Sequence, residues 1–221
     1  MIEVLTEADG VRLVETATEH QYYLNDKKIP GCTSIIQGCG ISDLSGIPRF
    51  ILDKKSALGN AVHEYTHWWD ENDLDLNDLK PFPDYYNRTL GWTQFREDWN
   101  YKPHATEIVL AIRVNGMTFG VKPDSLGTGN FGTNGEPWLA TVEKKCTVDI
   151  EPAHEIQTAA QALALKADCP IPARIIVQLL PEPDKLGKYY HMQECKEPSD
   201  ERVFLSALAI ETYKRNRKII R

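Results

Sequence analysis

The chain has 221 residues, 42% hydrophobic and 26% charged, with a net charge of −7. That is an ordinary globular composition, long enough to bury a core without disulfide or metal staples, and it excludes a low-complexity or disordered chain. The negative balance is a mild argument against a nucleic-acid binder, which usually shows a basic footprint. The longest apolar runs, such as Ile175-Ile176-Val177-Gln178-Leu179-Leu180, are too short to span a membrane. Met1-Ile2-Glu3-Val4 lacks the basic and apolar regions of a signal peptide, and five cysteines without framework spacing suit a reducing cytoplasm.

Residues 41–58 read as a helical approach segment broken at Pro48, and residues 59–70 as a helix with Ala61, Val62, Tyr65 and Trp69 as its apolar positions. Residues 72–87, polar with Pro81 and Pro83, predict a surface connection. Residues 88–100 predict a second helix whose Trp92, Phe95 and Trp99 fall at helical spacing and belong to a core. Asn115-Gly116 between two β-prone runs, residues 109–114 and 117–121, predicts a tight hairpin. Residues 127–135, rich in Gly and Asn, predict a flexible loop, and residues 138–146 a third strand. An Ala-rich helix follows over residues 153–166. A strand at 174–180 comes next, hairpinned to residues 188–193, and the last helix starts at Ser199 or Asp200 as N-cap.

Charge is uneven along the chain. Residues 64–98 hold nine acids against three bases, and the C-terminus carries Lys214, Arg215, Arg217, Lys218 and Arg221. That tail suits either phosphate contacts or the favourable placing of cations at a helix C-terminus.

Two short stretches carry chemistry. Pro123-Asp124 is followed by Glu143-Lys144-Lys145. Side chains alternate along a strand, so Glu143 and Lys145 share a face, while Ala140, Val142 and Cys146 lie on the apolar one with the stem of Lys144. The polar face must then look at solvent or at a cleft. Carboxylates with an ammonium beside them suit phosphodiester hydrolysis: the acids hold Mg²⁺ or Mn²⁺, and the cation stabilises charge or helps to position the nucleophile.

Four landmarks in order resemble the PD-(D/E)xK nuclease superfamily, in its RecB-like and phage-type branch. They are Gly59-Asn60-Ala61-Val62-His63-Glu64, Gly120-Val121-Lys122-Pro123-Asp124, Val142-Glu143-Lys144-Lys145, and Gln157-Thr158-Ala159-Ala160-Gln161. Tyr23-Leu24-Asn25-Asp26 and Ile29-Pro30-Gly31-Cys32-Thr33-Ser34-Ile35-Ile36 resemble the lead-in of phage members. The resemblance implies an α/β fold with a restriction-endonuclease-like αβββαβ core, a mixed central sheet flanked by helices. The whole of residues 1–221 would be one nuclease domain with a helical and loop elaboration at about 64–100. It implies one or two Mg²⁺ or Mn²⁺ ions on His63, Asp124 and Glu143, with the Lys144 carbonyl as a further contact. Asp124, Glu143, Lys145 and Gln157 would form the catalytic set. The family's tyrosine is here Gln161, which keeps a hydrogen-bonding group and loses an aromatic face. Some relatives hold an iron–sulfur cluster; Cys32, Cys39, Cys146, Cys169 and Cys195 include no C-x-x-C, so none is expected. The implied activity is a DNA exonuclease of recombination, repair or replication. It would act in the cytoplasm of a bacterial or phage-infected cell, with DNA and a recombination or replication protein as partners and no membrane.

Two other readings stay open. His63-Glu64-Tyr65-Thr66-His67 is also H-E-x-x-H, in which two histidines hold zinc and the glutamate is the general base of a metallopeptidase. No third ligand has convincing spacing, and only some sixty residues precede the motif. The second is a nucleic-acid-binding or assembly protein without catalysis. Asp73-Leu74-Asp75-Leu76-Asn77-Asp78 alternates like the start of a calcium loop, but Asp78 stands where glycine is needed.

Overall fold

The computed structural model describes residues 2–15, 20–42 and 46–219. The architecture is mixed α/β, with three sheets and five α-helices among the described residues. The central sheet has five strands in the order β11-β10-β9-β8-β5: β5 (Lys102–Thr106), β8 (Ser125–Gly129), β9 (Trp138–Lys145), β10 (Ala173–Leu179) and β11 (Tyr190–Glu194). β9 and β10 run parallel and the other neighbours antiparallel. Parallel neighbours need a crossover, and α4 (Pro152–Ala162) supplies it, with Pro152 at its first position, where no donor is lost.

Each face of this sheet is covered. Ala140 and Val142 of β9 and Ile175, Val177 and Leu179 of β10 pack against Val62 of α2 (Arg49–Asp70) and Trp92 and Phe95 of α3 (Pro83–Asp98). The other face meets α4. A second core joins α4 to α1 (Cys32–Gly38), α5 (Asp200–Asn216) and the hairpin β6 (Leu110–Val114) and β7 (Met117–Val121). That hairpin pairs with β1 (Ile2–Leu5) in a sheet of its own. β2 (Val11–Glu15), β3 (His20–Leu24) and β4 (Lys27–Ile29) form an antiparallel meander. No helix among the described residues is long and apolar enough to cross a membrane.

Several expectations are met in detail. Asn115 and Gly116 have φ of 50° and 77°, and Val114 pairs with Met117, as the tight hairpin requires. Trp92 and Phe95 are fully buried. The final hairpin and last helix fall where the pattern places them.

Others are corrected. Pro48 starts a helix rather than breaking one: α2 runs unbroken for 22 residues from Arg49, so Gly59 lies in its interior. Part of the approach segment, residues 43–45, lies outside the described residues. Pro83 occupies the first turn of α3, so that helix begins five residues before the aromatic pattern suggests. The glycine-rich stretch expected as a flexible loop begins as strand β8. A Cβ on Gly127 would lie 2.3 Å from the Lys102 carbonyl oxygen and 2.7 Å from the Tyr101 hydroxyl, so this glycine marks close backbone approach rather than mobility. The three strands expected in succession are therefore split between two sheets, with β8 between them.

Candidate metal centre

Asp124 sits in the short link from β7 to β8, where the chain passes from one sheet to the other. It is nearly buried, and its Oδ2 accepts the backbone N–H of Lys144 on β9 at 2.7 Å. This bond fixes the Pro-Asp turn to the Glu-x-Lys strand. His63, on the sheet-facing side of α2, brings Nδ1 within 3.3 Å of Asp124 Oδ1 and 3.7 Å of Glu107 Oε1. Glu107 lies between β5 and β6 and donates its own N–H to the Asp124 carbonyl at 3.2 Å. Its φ of 52° is left-handed, a costly conformation for a residue with a Cβ and one found disproportionately at functional sites. One donor atom from each of His63, Glu107 and Asp124 lies within 4.8 Å of the others.

A second cluster adjoins the first. Glu143 is buried on β9, and its Oε1 accepts Lys145 Nζ at 2.6 Å and Gln157 Nε2 at 2.7 Å. Its Oε2 accepts Gln161 Nε2, and Gln161 Oε1 in turn accepts the Thr141 hydroxyl at 3.1 Å. Lys145 Nζ also donates to Gln157 Oε1 at 3.2 Å. Glu143 and Lys145 do share a face, as strand alternation requires, but that face looks at α4 rather than at solvent. Gln161, where the resembled family has tyrosine, is fully buried and spends its amide on Glu143 and Thr141.

The structure thus brings His63 and Asp124 together as expected, but their neighbour is Glu107, which sequence reasoning missed, and Glu143 is held apart with Lys145 and Gln157. Lys144 points to the opposite face, fully buried; its ammonium donates to Thr66 Oγ1 at 2.8 Å, lies 5.2 Å from the Trp92 ring centre and 3.8 Å from Glu107 Oε1. Lys122 reaches Glu107 Oε2 at 3.1 Å.

Electrostatics tie the clusters together. Burial opposes a charged His63, but the Asp124 carboxylate and Glu107 outweigh it and hold the imidazole up at about 9. Burial likewise opposes ionised Asp124, yet His63, Lys144 and Lys145 keep it well below the usual carboxylate range. Glu107 is lowered against its own burial by His63 and Lys144. Glu143 is raised by burial and then by the charge of Asp124. Lys145 is raised, Glu143 and Asp124 overcoming its desolvation.

Does this set fit a metal ion? Glu107 Oε1 is buried and has no hydrogen-bond partner, an expensive state for a carboxylate oxygen. Two carboxylates and an imidazole are donors that Mg²⁺, Mn²⁺ and Zn²⁺ accept. The residues fit.

The H-E-x-x-H pattern does not converge. His67 Nδ1 bonds the Thr106 hydroxyl at 3.0 Å and its Nε2 lies 3.6 Å from Glu71, while Glu64 is exposed. Asp75 accepts the backbone N–H of Asn77 and so caps a short 3₁₀ turn. In the basic tail, Arg215 pairs with Glu211, Lys214 bonds the Gly38 carbonyl and Arg217 stacks on Tyr213; Arg221 lies outside the described residues.

No protein-family model and no curated protein matches the chain. Among solved structures, the crystal structure of SSO0001 aligns with 69% of this chain and 72% of its own, at 17% identity and a TM-score of 0.33. A likeness at that level carries no argument about fold or function.

Proposed function

We propose that this chain is a metal-dependent nuclease that hydrolyses phosphodiester bonds in DNA, built on a restriction-endonuclease-like core. The observation that carries this reading is the single hydrogen bond from the Lys144 N–H to Asp124, which joins a metal-fitting cluster of His63, Glu107 and Asp124 to a buried Glu143–Lys145–Gln157 cluster. Acids that fit an ion beside a fixed ammonium are what phosphoryl chemistry requires.

His63, Glu107 and Asp124 would hold Mg²⁺ or Mn²⁺, which when bound supplies Lewis-acid polarisation of the phosphoryl oxygens and an acidified water. Lys145 is pinned by Glu143 and Gln157, so its charge is already in place to stabilise the negative charge that develops on the phosphorus oxygens, with no reorganisation during reaction. Glu143, whose affinity for a proton is raised by burial and by the charge of Asp124, would accept a proton more readily than an exposed carboxylate. Gln157 bridges the two, accepting from Lys145 Nζ and donating to Glu143 Oε1. Gln161 holds the second oxygen of Glu143 and is a positioning residue. The phage-type resemblance favours an exonuclease serving recombination, repair or replication, with DNA and a protein of that machinery as partners.

Against the peptidase alternative stand the exposed Glu64 and the engagement of His67 by Thr106. The test is cleavage of linear and covalently closed duplex DNA with Mg²⁺ or Mn²⁺, with casein as the peptidase control. Metal-dependent loss of the linear substrate supports the proposal. Casein hydrolysis with inert DNA defeats it.

A further inference from the structure

Helix α5 buries one side and leaves the other in solvent. Phe204, Ala207, Leu208 and Glu211 face the core. On the other side Val203, Ser206, Ile210, Tyr213 and Arg217 are all exposed, Val203 at 38%, Ile210 at 50% and Tyr213 at 57%. Their spacing is three, four, three and four residues, which holds them in one narrow stripe along the helix. This is the spacing of a coiled-coil seam, where each side chain seats between residues of a facing helix. Single exposed apolar residues are ordinary, but three large ones in line on a solvated helix mark a contact surface. The stripe is flanked by the exposed Arg202, Ala209 and Asn216, which are polar or small and leave room for a second helix.

The charges at the two ends of the stripe decide what covers it. At the start of α5, Glu197 is exposed, and its Oε1 accepts the Ser199 N–H at 2.9 Å and the Ser199 hydroxyl at 2.6 Å. The carboxylate is thus fixed at the N-cap, and Arg202 and Arg174 act on it only at longer range. At the far end, Lys214 bonds the Gly38 carbonyl and Arg215 pairs with Glu211. Arg217 has no carboxylate partner among the described residues; its guanidinium carbon lies 5.7 Å from the Tyr213 ring centre, beside the seam. An antiparallel copy of the same helix satisfies both ends. With Val203 opposite Tyr213, Ser206 falls opposite Ile210 and Ser199 opposite Arg217, so every layer joins stripe to stripe. The small Ser206 then receives the larger Ile210, and Arg217 arrives at the carboxylate that Ser199 holds. The two helix dipoles also oppose each other favourably. A parallel copy would instead bring Lys214, Arg215, Arg217 and Lys218 against themselves.

We propose that α5 docks antiparallel on α5 of a second copy of this chain, through Val203, Ser206, Ile210 and Tyr213, with Glu197 of each copy meeting Arg217 of the other. The inference goes beyond the nuclease reading and does not depend on it. The contact is isologous, so it closes at two copies. A contact confined to one helix face falls below the roughly 800 Å² per partner of a standard interface, so the dimer dissociates in the micromolar range.

The experiment is sedimentation velocity of the full chain from about 1 µM to about 300 µM, with circular dichroism as the control for folding. The average mass of the wild type should rise towards that of two chains. Ile210→Asp changes a half-exposed side chain and leaves the core intact, and should weaken association at least tenfold. Glu197→Arg should weaken it about tenfold, because each dimer holds two such pairs and the new arginine repels Arg217. Adding Arg217→Glu to that variant should restore association, a rescue that mere loss of the contact to Ser199 would not allow. A wild type that stays monomeric throughout overturns the proposal. So does association that folded Ile210→Asp leaves unchanged, or a charge-reversed double variant as weak as Glu197→Arg alone. A monomeric chain whose affinity for duplex DNA falls in Ile210→Asp gives the stripe to nucleic acid and likewise overturns the second copy.

Discussion

Replacing Glu107 by glutamine changes one charge and almost no volume, so it isolates what this carboxylate does. Glu107 Oε1 has no hydrogen-bond partner, so the substitution breaks no hydrogen bond at that oxygen. At a carboxylate–ion distance of about 2.1 Å, a unit charge and a divalent ion attract by about 4 kcal/mol at the dielectric of water. The Glu107 side chain is 19% exposed, so screening is weaker than in water, while displacement of a bound water and retention of an amide oxygen offset part of the loss. Lys122 at 3.1 Å and Lys144 at 3.8 Å also lose a neutralising partner and now repel an arriving cation. Taking a net loss of about 2–4 kcal/mol, Mn²⁺ affinity should fall between about thirtyfold and several hundredfold. Titration of Mn²⁺ followed by calorimetry or electron paramagnetic resonance measures this directly, with circular dichroism as the control for folding. A folded Glu107→Gln that binds Mn²⁺ as tightly as the wild type would refute the assignment of Glu107 to the centre.

Lys145→Ala should lower DNA cleavage by about 10²–10³-fold while Mn²⁺ binding persists, because an ammonium is not a ligand; Asp124→Ala should lose both. Equal metal loss in the two variants, by the same titration, would count against separate roles. His63→Ala should lose metal, whereas His67→Ala should keep it and lose only the contact to Thr106, about 1 kcal/mol of stability measured by urea unfolding. Tight stoichiometric zinc that vanishes in both histidine variants would revive the peptidase. The last of the group concerns pH. His154 is pushed down to about 4 by burial and by Lys145, and its Nδ1 accepts the Glu151 N–H at the start of α4. The unfolded chain binds that proton near pH 6.5, so the stabilising contribution is complete above 6.5 and is lost as pH falls towards 4. His154→Gln keeps a cap acceptor without the titration. Its urea midpoint should therefore drop less than that of the wild type between pH 7.5 and pH 5, and identical drops would show that His154 does not titrate there.

How much of this was legible in the residues differs from place to place for physical reasons. Asn115-Gly116 announced its hairpin because only residues tolerant of positive φ fit a two-residue turn. Trp92 and Phe95 announced a core helix because helical spacing of aromatics has few other causes. The prolines misled. Pro48 and Pro83 look like breaks until a helix is seen to start directly after the first and at the second, where no donor is lost. Gly127 misled in another way, since a glycine chosen for close packing against Lys102 and Tyr101 is written with the same letter as a flexible one. The meander of β2, β3 and β4 turns at Asn25-Asp26, with φ of 48° and 60°, where residues tolerant of positive φ fit a two-residue turn between short polar strands that lack a clear apolar alternation. At the site, His63, Asp124, Glu143, Lys145 and Gln157 were all visible as motif positions. Glu107 was not, because its role comes from a left-handed backbone between two strands and from a tertiary approach to His63, neither of which leaves a local pattern.

The proposed divalent ion on His63, Glu107 and Asp124 underlies every role given to those three residues. Anomalous diffraction from crystals soaked in Mn²⁺ tests it most directly. A manganese peak is expected within bonding distance of His63 Nδ1 and of carboxylate oxygens of Glu107 and Asp124, with no such peak in Asp124→Asn crystals. A manganese ion seated away from those three side chains, or none in well-soaked crystals, would contradict it.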